Sequence, residues 1–378
     1  MKQQKICIIG NGLAGLISAA VLSKEDIKID LIFPKAKSIK IDHRTTAISE
    51  SNYSFLKKEL NFKNLKYVWS SKKINLFYQR NEKFLKFLNF SEKNKTFMYI
   101  FRNFDLKKTL LNIIKKKKNI KIIKESVNTI NYENSSVFLK RKNVFYDLIV
   151  LSLGNKSSLY DKIIGERSIN KNYNEIAITA FGKHNSKVKN ASQFFLKEGP
   201  FALLPLKNNI LSIVWSVNQN FFKKNKKNLK KIILKKMKDM MGQSFKINIK
   251  NLNNFPIYLN LKKNYYKKNI LVIGDGLHQV HPLAGQGFNL ALRDIAKLKE
   301  LIKNNLRLGL LMKDSLIFND FYKTRKPENT IVGIGIDLTN NFFKENKIYL
   351  PLKDLILKNI NNSQFVKKIS QSVSDIGI

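Results

Sequence analysis

The chain opens on an unbroken apolar run in "KICIIG". Apolar positions at helical spacing follow in "LAGLISAAVLS", and then a second apolar run, "IKIDLIF". Apolar runs without polar alternation belong to strands covered on both faces, so this order predicts a βαβ unit of a parallel sheet. "LKKTLLNIIKKKKNIKIIKESV", from Leu106, predicts a helix and another strand, and "VFYDLIVLSLG", ending at Gly154, predicts a further buried strand. From Glu175 to about Leu261 the pattern changes. "EIAITAFG", "SQFFL", "FALLPL" and "ILSIVWSV" alternate or carry aromatics as antiparallel strands do, and one basic helical segment, Asn228 to Met241, interrupts them. Buried-strand character returns at Ile270, and helices are expected from there to the C-terminus. The order predicts an α/β fold with three parts. Residues 1–70, 100–170 and 265–320 form a discontinuous parallel-sheet domain, 71–99 and 171–264 an inserted antiparallel sheet, and 321–378 a C-terminal helical region.

Composition changes this picture little. At 378 residues and 43% hydrophobic, the chain can bury a large core. Lys and Arg total 70 against 27 Asp and Glu, a formal charge of +43. The lysines are spread beside abundant Asn and Ile, and the dense runs at Lys115–Lys118 and Lys223–Lys231 lack the interleaved aromatics of a base-stacking platform. No nucleic-acid partner is expected; an anionic membrane surface stays open. The one cysteine, Cys7, lies in an apolar run and has no intrachain disulfide partner, which fits a reducing cytoplasm. No apolar stretch reaches the roughly 18 to 20 residues that span a bilayer, and no secretory signal is expected. The four histidines show no metal-ligand spacing.

Chemistry concentrates in glycine-rich turns. In "GNGLAG", Gly10, Gly12 and Gly15 stand between a buried strand and a helix. There, small residues allow a tight turn, close approach of a pyrophosphate and close helix packing. The acid that commonly holds the adenine ribose is due about 20 residues on, at the end of the second strand. That position is Phe33, followed by Pro34, and Asp30 falls too early in the strand.

Three distant segments together resemble the flavoprotein aromatic hydroxylases related to para-hydroxybenzoate hydroxylase, and within them the ubiquinone-biosynthesis hydroxylases. They are "GNGLAG", the Asp-x-Arg segment in "DHRTTAISES" (Asp42 to Ser51), and "GDGLHQVHPLAGQGFNLALRD" from Gly274. "EGPFALLPLKNNILSIVWSV", from Glu198, and the tail from Tyr322 are also similar to that family, so the resemblance covers nearly the whole chain. It implies a Rossmann-like FAD/NAD(P)-binding fold of the glutathione-reductase type, with the antiparallel sheet as substrate domain. It implies FAD as cofactor, NAD(P)H as electron donor and O2 as cosubstrate. Asp275, after Gly274, is then expected on the FAD ribitol. Pro282, Gly285, Gln286 and Gly287 are expected beside the flavin ring, with Phe288 and Asn289 continuing into a helix. Arg44, Asn103 and Gly154 complete the expected cofactor contacts. The chemistry would be carried by a flavin hydroperoxide that hydroxylates a polyprenylphenol, with no side-chain nucleophile; His278, His281 and Pro282 are candidates for tuning it.

The sequence departs from the family at two points. Leu153 stands where an acid of a second family motif is due before Gly154, and Phe33 replaces the ribose acid. Loss of such a contact removes about 1 to 3 kcal/mol of cofactor affinity. Several pairs of readings stay open. His278 and His281 tune the flavin or are hydrogen-bonded loop residues; Asn103 meets the cofactor or caps a helix; Phe194, Phe195, Phe201 and Trp215 line a lipid channel or pack the core. Other chemistry on the same scaffold, such as epoxidation or reduction of a lipid, and a non-catalytic scaffold subunit among other ubiquinone-biosynthesis proteins are the alternatives. The expected place is the cytoplasm, peripheral to the inner face of a membrane.

Overall fold

The computed structural model describes residues 3–35, 42–61, 68–92, 95–127, 129–154, 157–207, 209–344, 353 and 355–359. The rest of the predicted C-terminal helical region lies outside the described residues.

Six strands form the first sheet in the order Tyr266–Lys267, Ile270–Val272, Leu148–Leu151, Lys5–Ile9, Lys28–Phe33 and Ile120–Lys124. All pairs are parallel except the Tyr266–Lys267 edge. The helices Leu13–Leu22, Asn103–Lys115 and Gln286–Arg307 and a three-stranded antiparallel sheet that contributes Val137 and Leu139 pack their apolar positions into one core with it. Covered on both sides, its central strands have no polar face to show, hence "CIIG" and "LIVL". The mid-strand acid Asp30 is accommodated by pairing: Lys5 Nζ lies 2.7 Å away and the Tyr146 hydroxyl donates at 2.8 Å.

The second sheet has eight strands, ordered His278–Gln279, Ile247–Lys262, Ser168–His184, Ile210–Asn218, Gly199–Leu206, Ala191–Leu196, Lys73–Arg80 and Lys83–Ser91. It begins earlier than the aromatic pattern suggested, at Ser168, and the Lys73–Arg80 strand joins it in parallel beside Ala191–Leu196. One face packs under the helix Leu229–Met241, which seats Leu229, Ile233 and Met237 against Ile178, Phe201 and Trp215. The other face looks toward the first sheet. A short sheet of Thr45–Ile48, Met98–Arg102 and Trp69–Ser71 lies between the two. The long helix Ile317–Lys344 closes the assembly against Leu290 and the eight-stranded sheet.

Candidate active site

The strand Lys5–Ile9 delivers the chain into Gly10, whose φ of +130° belongs to glycine. A Cβ there would meet the Ser152 carbonyl at 2.0 Å, and one at Gly15 would meet the Gly10 carbonyl at 2.5 Å, so both glycines serve close packing. Gly12 differs: a Cβ there meets nothing within 4 Å. It precedes the helix Leu13–Leu22, which has no acid in its first turn and no side-chain cap. Open backbone N–H groups at a helix N-terminus favour a phosphate.

Asp42, Arg44 and Asn103 assemble beside this turn. Arg44 donates from Nε and Nη2 to the two oxygens of Asp42, each at 2.8 Å, and Asn103 Nδ2 donates to Asp42 Oδ2 at 3.1 Å. Burial would raise the Asp42 pKa, but the Arg44 bonds and charge overcome it and hold the carboxyl near 2. Thr46 Oγ1 donates to Asn103 Oδ1 at 2.6 Å. Asn103 is the first residue of its helix and Arg102 occupies the cap position, so the capping role left open for Asn103 is not what its side chain does.

The Gly274 segment follows the strand Ile270–Val272. Gly274 adopts φ +66° and turns the chain, and Asp275 opens into a large cavity. Its side chain is open to the cavity, but the protein walls around it desolvate the carboxylate and raise its pKa, while His278 and Arg44 oppose the rise. Gly285, at φ +67°, sits where a Cβ would be 3.2 Å from Ala47 and starts the helix Gln286–Arg307. Asn289 spends its amide on protein: Ser49 N donates to its Oδ1 at 2.9 Å, and its Nδ2 donates to the Ala47 and Gly285 carbonyls. It fixes the strand Thr45–Ile48 to the helix start. Gln286 Oε1 is buried at the cavity wall without a partner among the described residues.

Gly10, Gly12, Arg44, Asn103, Gly154, Asp275, Pro282, Gly285, Gln286, Gly287, Phe288 and Asn289 all line this one cavity of about 1830 Å³; Gly15 and Gly274 stand behind its wall. The two histidines are behind it as well. His278 Nε2 lies 2.7 Å from Asp294 Oδ2, and Asp294 also accepts from Arg325 Nε at 2.8 Å and Asn329 Nδ2 at 3.2 Å. The Gly274 N–H points at the same carboxylate at 3.4 Å. His281 donates from Nε2 to Glu175 Oε2, 2.9 Å away, and Lys344 pairs with the other oxygen. Burial lowers the His281 pKa to about 3, and Lys344 already supplies the cation for Glu175, so this imidazole is neutral. Both histidines thus have carboxylate partners and reach the cavity only through the segment they anchor.

Phe33 and Leu153 line the cavity where acids were expected, and Pro34 lines it beside Phe33. The Leu153 N–H donates to the Tyr160 hydroxyl at 2.6 Å, which holds that loop without a carboxylate. Lys107 and Lys108, which the sequence reading passed over among so many lysines, also line it. Of the four aromatics proposed for a channel, Phe195 lines the cavity, whereas Phe194, Phe201 and Trp215 pack on the other side of the sheet. The direction is set by strand alternation: Phe195 is one residue out of phase with Phe194. Phe195 stacks on Phe343 at 3.6 Å between centroids.

The residues fit FAD. A bare helix start with open space at Gly12 suits a pyrophosphate, Asp275 suits a polyol, and the unpartnered Gln286 oxygen suits a polar ring edge. Single-ligand sites occupy about 300 to 1,000 Å³, so the cavity has room for a second molecule.

Comparison with known proteins agrees. A family model described as an FAD binding domain matches residues 154–307. A mitochondrial ubiquinone biosynthesis monooxygenase COQ6 of Dictyostelium discoideum is 26% identical over 452 aligned positions, covering 98% of this chain and 90% of its own length. The 3-demethoxyubiquinol 3-hydroxylase of Escherichia coli is 28% identical over 158 residues, 41% of this chain and 40% of its own. Among solved structures, p-nitrophenol 4-monooxygenase PnpA of Pseudomonas putida superposes with a TM-score of 0.78 at 12% identity, over 98% of this chain and 96% of that one. Klebsiella pneumoniae HpxO, solved with FAD and uric acid, gives 0.73 at 12% identity, over 97% of this chain and 95% of that one. At these identities the structural matches speak for the fold.

Proposed function

This chain belongs to the FAD-dependent aromatic-ring monooxygenases of the ubiquinone-biosynthesis group, and we propose on that premise that it hydroxylates the ring of a polyprenylphenol. The carrying observation is a single cavity that joins the Gly12 turn, Asp275 and the Gly285–Asn289 segment to an apolar chamber formed by the eight-stranded sheet and the helix Ile317–Lys344. When bound, FAD supplies the electron transfer from NAD(P)H and the activation of O2. The protein's own contributions are binding, orientation and exclusion of water. Gly12 and the helix start face the pyrophosphate, Asp275 takes the ribitol, and Arg44, oriented by Asp42 and Asn103, offers a fixed cation. Phe87, Leu88, Phe195, Phe342 and Phe343 keep the chamber dry. In this reading the six-stranded sheet with its helices is the cofactor domain and the eight-stranded sheet the substrate domain.

The greasy part of the substrate leaves along the helix Ile317–Lys344. Ile331 and Leu338 both line the cavity and are exposed at 47% and 62%, and Ile334 continues the stripe. Apolar positions exposed at helical spacing beside an apolar chamber suit a prenyl tail and a lipid surface, and the basic charge of the chain suits an anionic one. In this reading the contact is peripheral, at the inner face; no described helix is long and apolar enough to cross a membrane. Turnover of a prenylphenol with FAD, NAD(P)H and O2 tests the reading. One ring hydroxyl gained per O2 consumed is expected. Epoxide or reduced tail would move the assignment to another lipid reaction, and a protein that never retains FAD would make it a scaffold for other enzymes of the pathway.

A further inference from the structure

One row of side chains crosses the eight-stranded sheet in register: Leu88, Leu76, Gln193, Ala202, Val214 and Thr179. All six face the cavity. Ala202 and Val214, between Gln193 and Thr179, are small, and the flanking residues in sequence, Leu203, Ile213 and Trp215, are buried on the opposite face. The row is apolar except at two places, Gln193 and Thr179. Thr179 Oγ1 is buried and has no hydrogen-bond partner among the described residues, although buried hydroxyls are partnered as a rule. Next to it the pairing with the strand Ile247–Lys262 slips, with a bulge between Thr179 and Phe181. Bulges re-aim side chains and are frequent beside active sites.

We propose that this row is the ring-binding floor: the aromatic ring lies over Ala202 and Val214, with one oxygen substituent bonded to Thr179 Oγ1 and another, on the opposite ring carbon, to the Gln193 amide. Thr179 and Gln193 stand three strand spacings apart, ~14 Å between backbones. Their side chains and two hydrogen bonds of ~2.8 Å leave a gap that a ring with oxygens on opposite carbons fills. A ring with one oxygen satisfies only one end. The preferred substrate is therefore a ring already carrying two oxygens, and the reaction that supplies it is an earlier oxygenation of the same ring. This inference rests on the hydroxylase reading above.

The test is anaerobic titration of the FAD-loaded protein with ortho-farnesylphenol and with farnesylhydroquinone, read by the change in flavin absorbance. The wild type should bind the hydroquinone about tenfold tighter, the order expected of one hydrogen bond in a buried site. Gln193→Leu should abolish that preference. Thr179→Val should weaken both ligands by a similar factor and Thr179→Ser should restore them, with unchanged flavin content showing that each variant folds. Equal binding of the two ligands by the wild type, or a preference that survives Gln193→Leu, overturns the proposal while leaving the hydroxylase reading intact. So does Thr179→Val binding that matches wild type. Binding of neither ligand by a flavin-loaded wild type overturns both.

Discussion

Replacing Asp294 by Asn should separate the fold's hidden electrostatics from its visible cavity. Asp294 is fully buried and accepts from His278, Arg325 and Asn329, with the Gly274 N–H pointed at it. Burial alone would raise its pKa, but His278 and Arg325 overcome burial and lower it from 3.8 to about 2. At about 1.4 kcal/mol per pKa unit, that preference for the charged form amounts to roughly 2 kcal/mol. Asp294→Asn removes this and leaves the Arg325 guanidinium buried with Glu328 as its remaining carboxylate partner. Breaking a buried pair costs about 3 to 5 kcal/mol, and Asn keeps one acceptor, so we expect a loss of about 3 kcal/mol. Urea unfolding followed by circular dichroism measures it, and FAD titration should show weaker binding because the Gly274–Asp275 turn loses its anchor. The sign with pH follows. A carboxyl depressed in the folded state stabilises above its unfolded value, near 3.8, and the contribution is lost as pH falls toward 2. Wild type should therefore lose stability through that window more steeply than the variant. A change below about 1 kcal/mol, with parallel acid profiles, would refute the reasoning.

Three further outcomes are expected. Gly12→Ala adds a Cβ that meets nothing, so its urea midpoint should match wild type while FAD affinity falls about tenfold; Gly10→Ala, 2.0 Å from the Ser152 carbonyl, should instead destabilise the fold by about 2 kcal/mol or more. Asp275→Asn should weaken FAD binding yet leave the stability of the cofactor-free protein unchanged, since the side chain opens into the cavity; equilibrium dialysis and urea unfolding read the two effects. Ile334→Gln with Leu338→Gln should lower flotation with anionic liposomes while flavin content stays unchanged, and unaltered flotation would remove the helix Ile317–Lys344 from the membrane contact.

The parallel sheet was legible because its strands are covered on both faces and read as apolar runs, and because Gly10 stands where a Cβ would strike backbone and Gly285 where a left-handed turn crowds Ala47. Those constraints are local, so they survive in one dimension. The direction of the substrate sheet was not legible. Phe194 and Phe195 look alike in sequence, and only strand pairing decides which one sees the cavity. Partners distant in sequence were equally hidden: nothing near His281 announces Glu175, and nothing near Asp294 announces Arg325. Lys107 and Lys108 were lost in a uniform lysine background. Thr179 carried no signal, because its part depends on a bulge, an empty hydrogen-bonding shell and neighbours from three other strands.

The central claim is tested most directly by incubating the FAD-loaded protein with farnesylhydroquinone, NAD(P)H and isotopically labelled dioxygen, then locating the label by mass spectrometry. The account predicts one labelled oxygen atom on the ring of the product, with a matching amount of NAD(P)H oxidised. Label in the prenyl chain, or none in the lipid while a bound flavin is reduced and reoxidised, would contradict it.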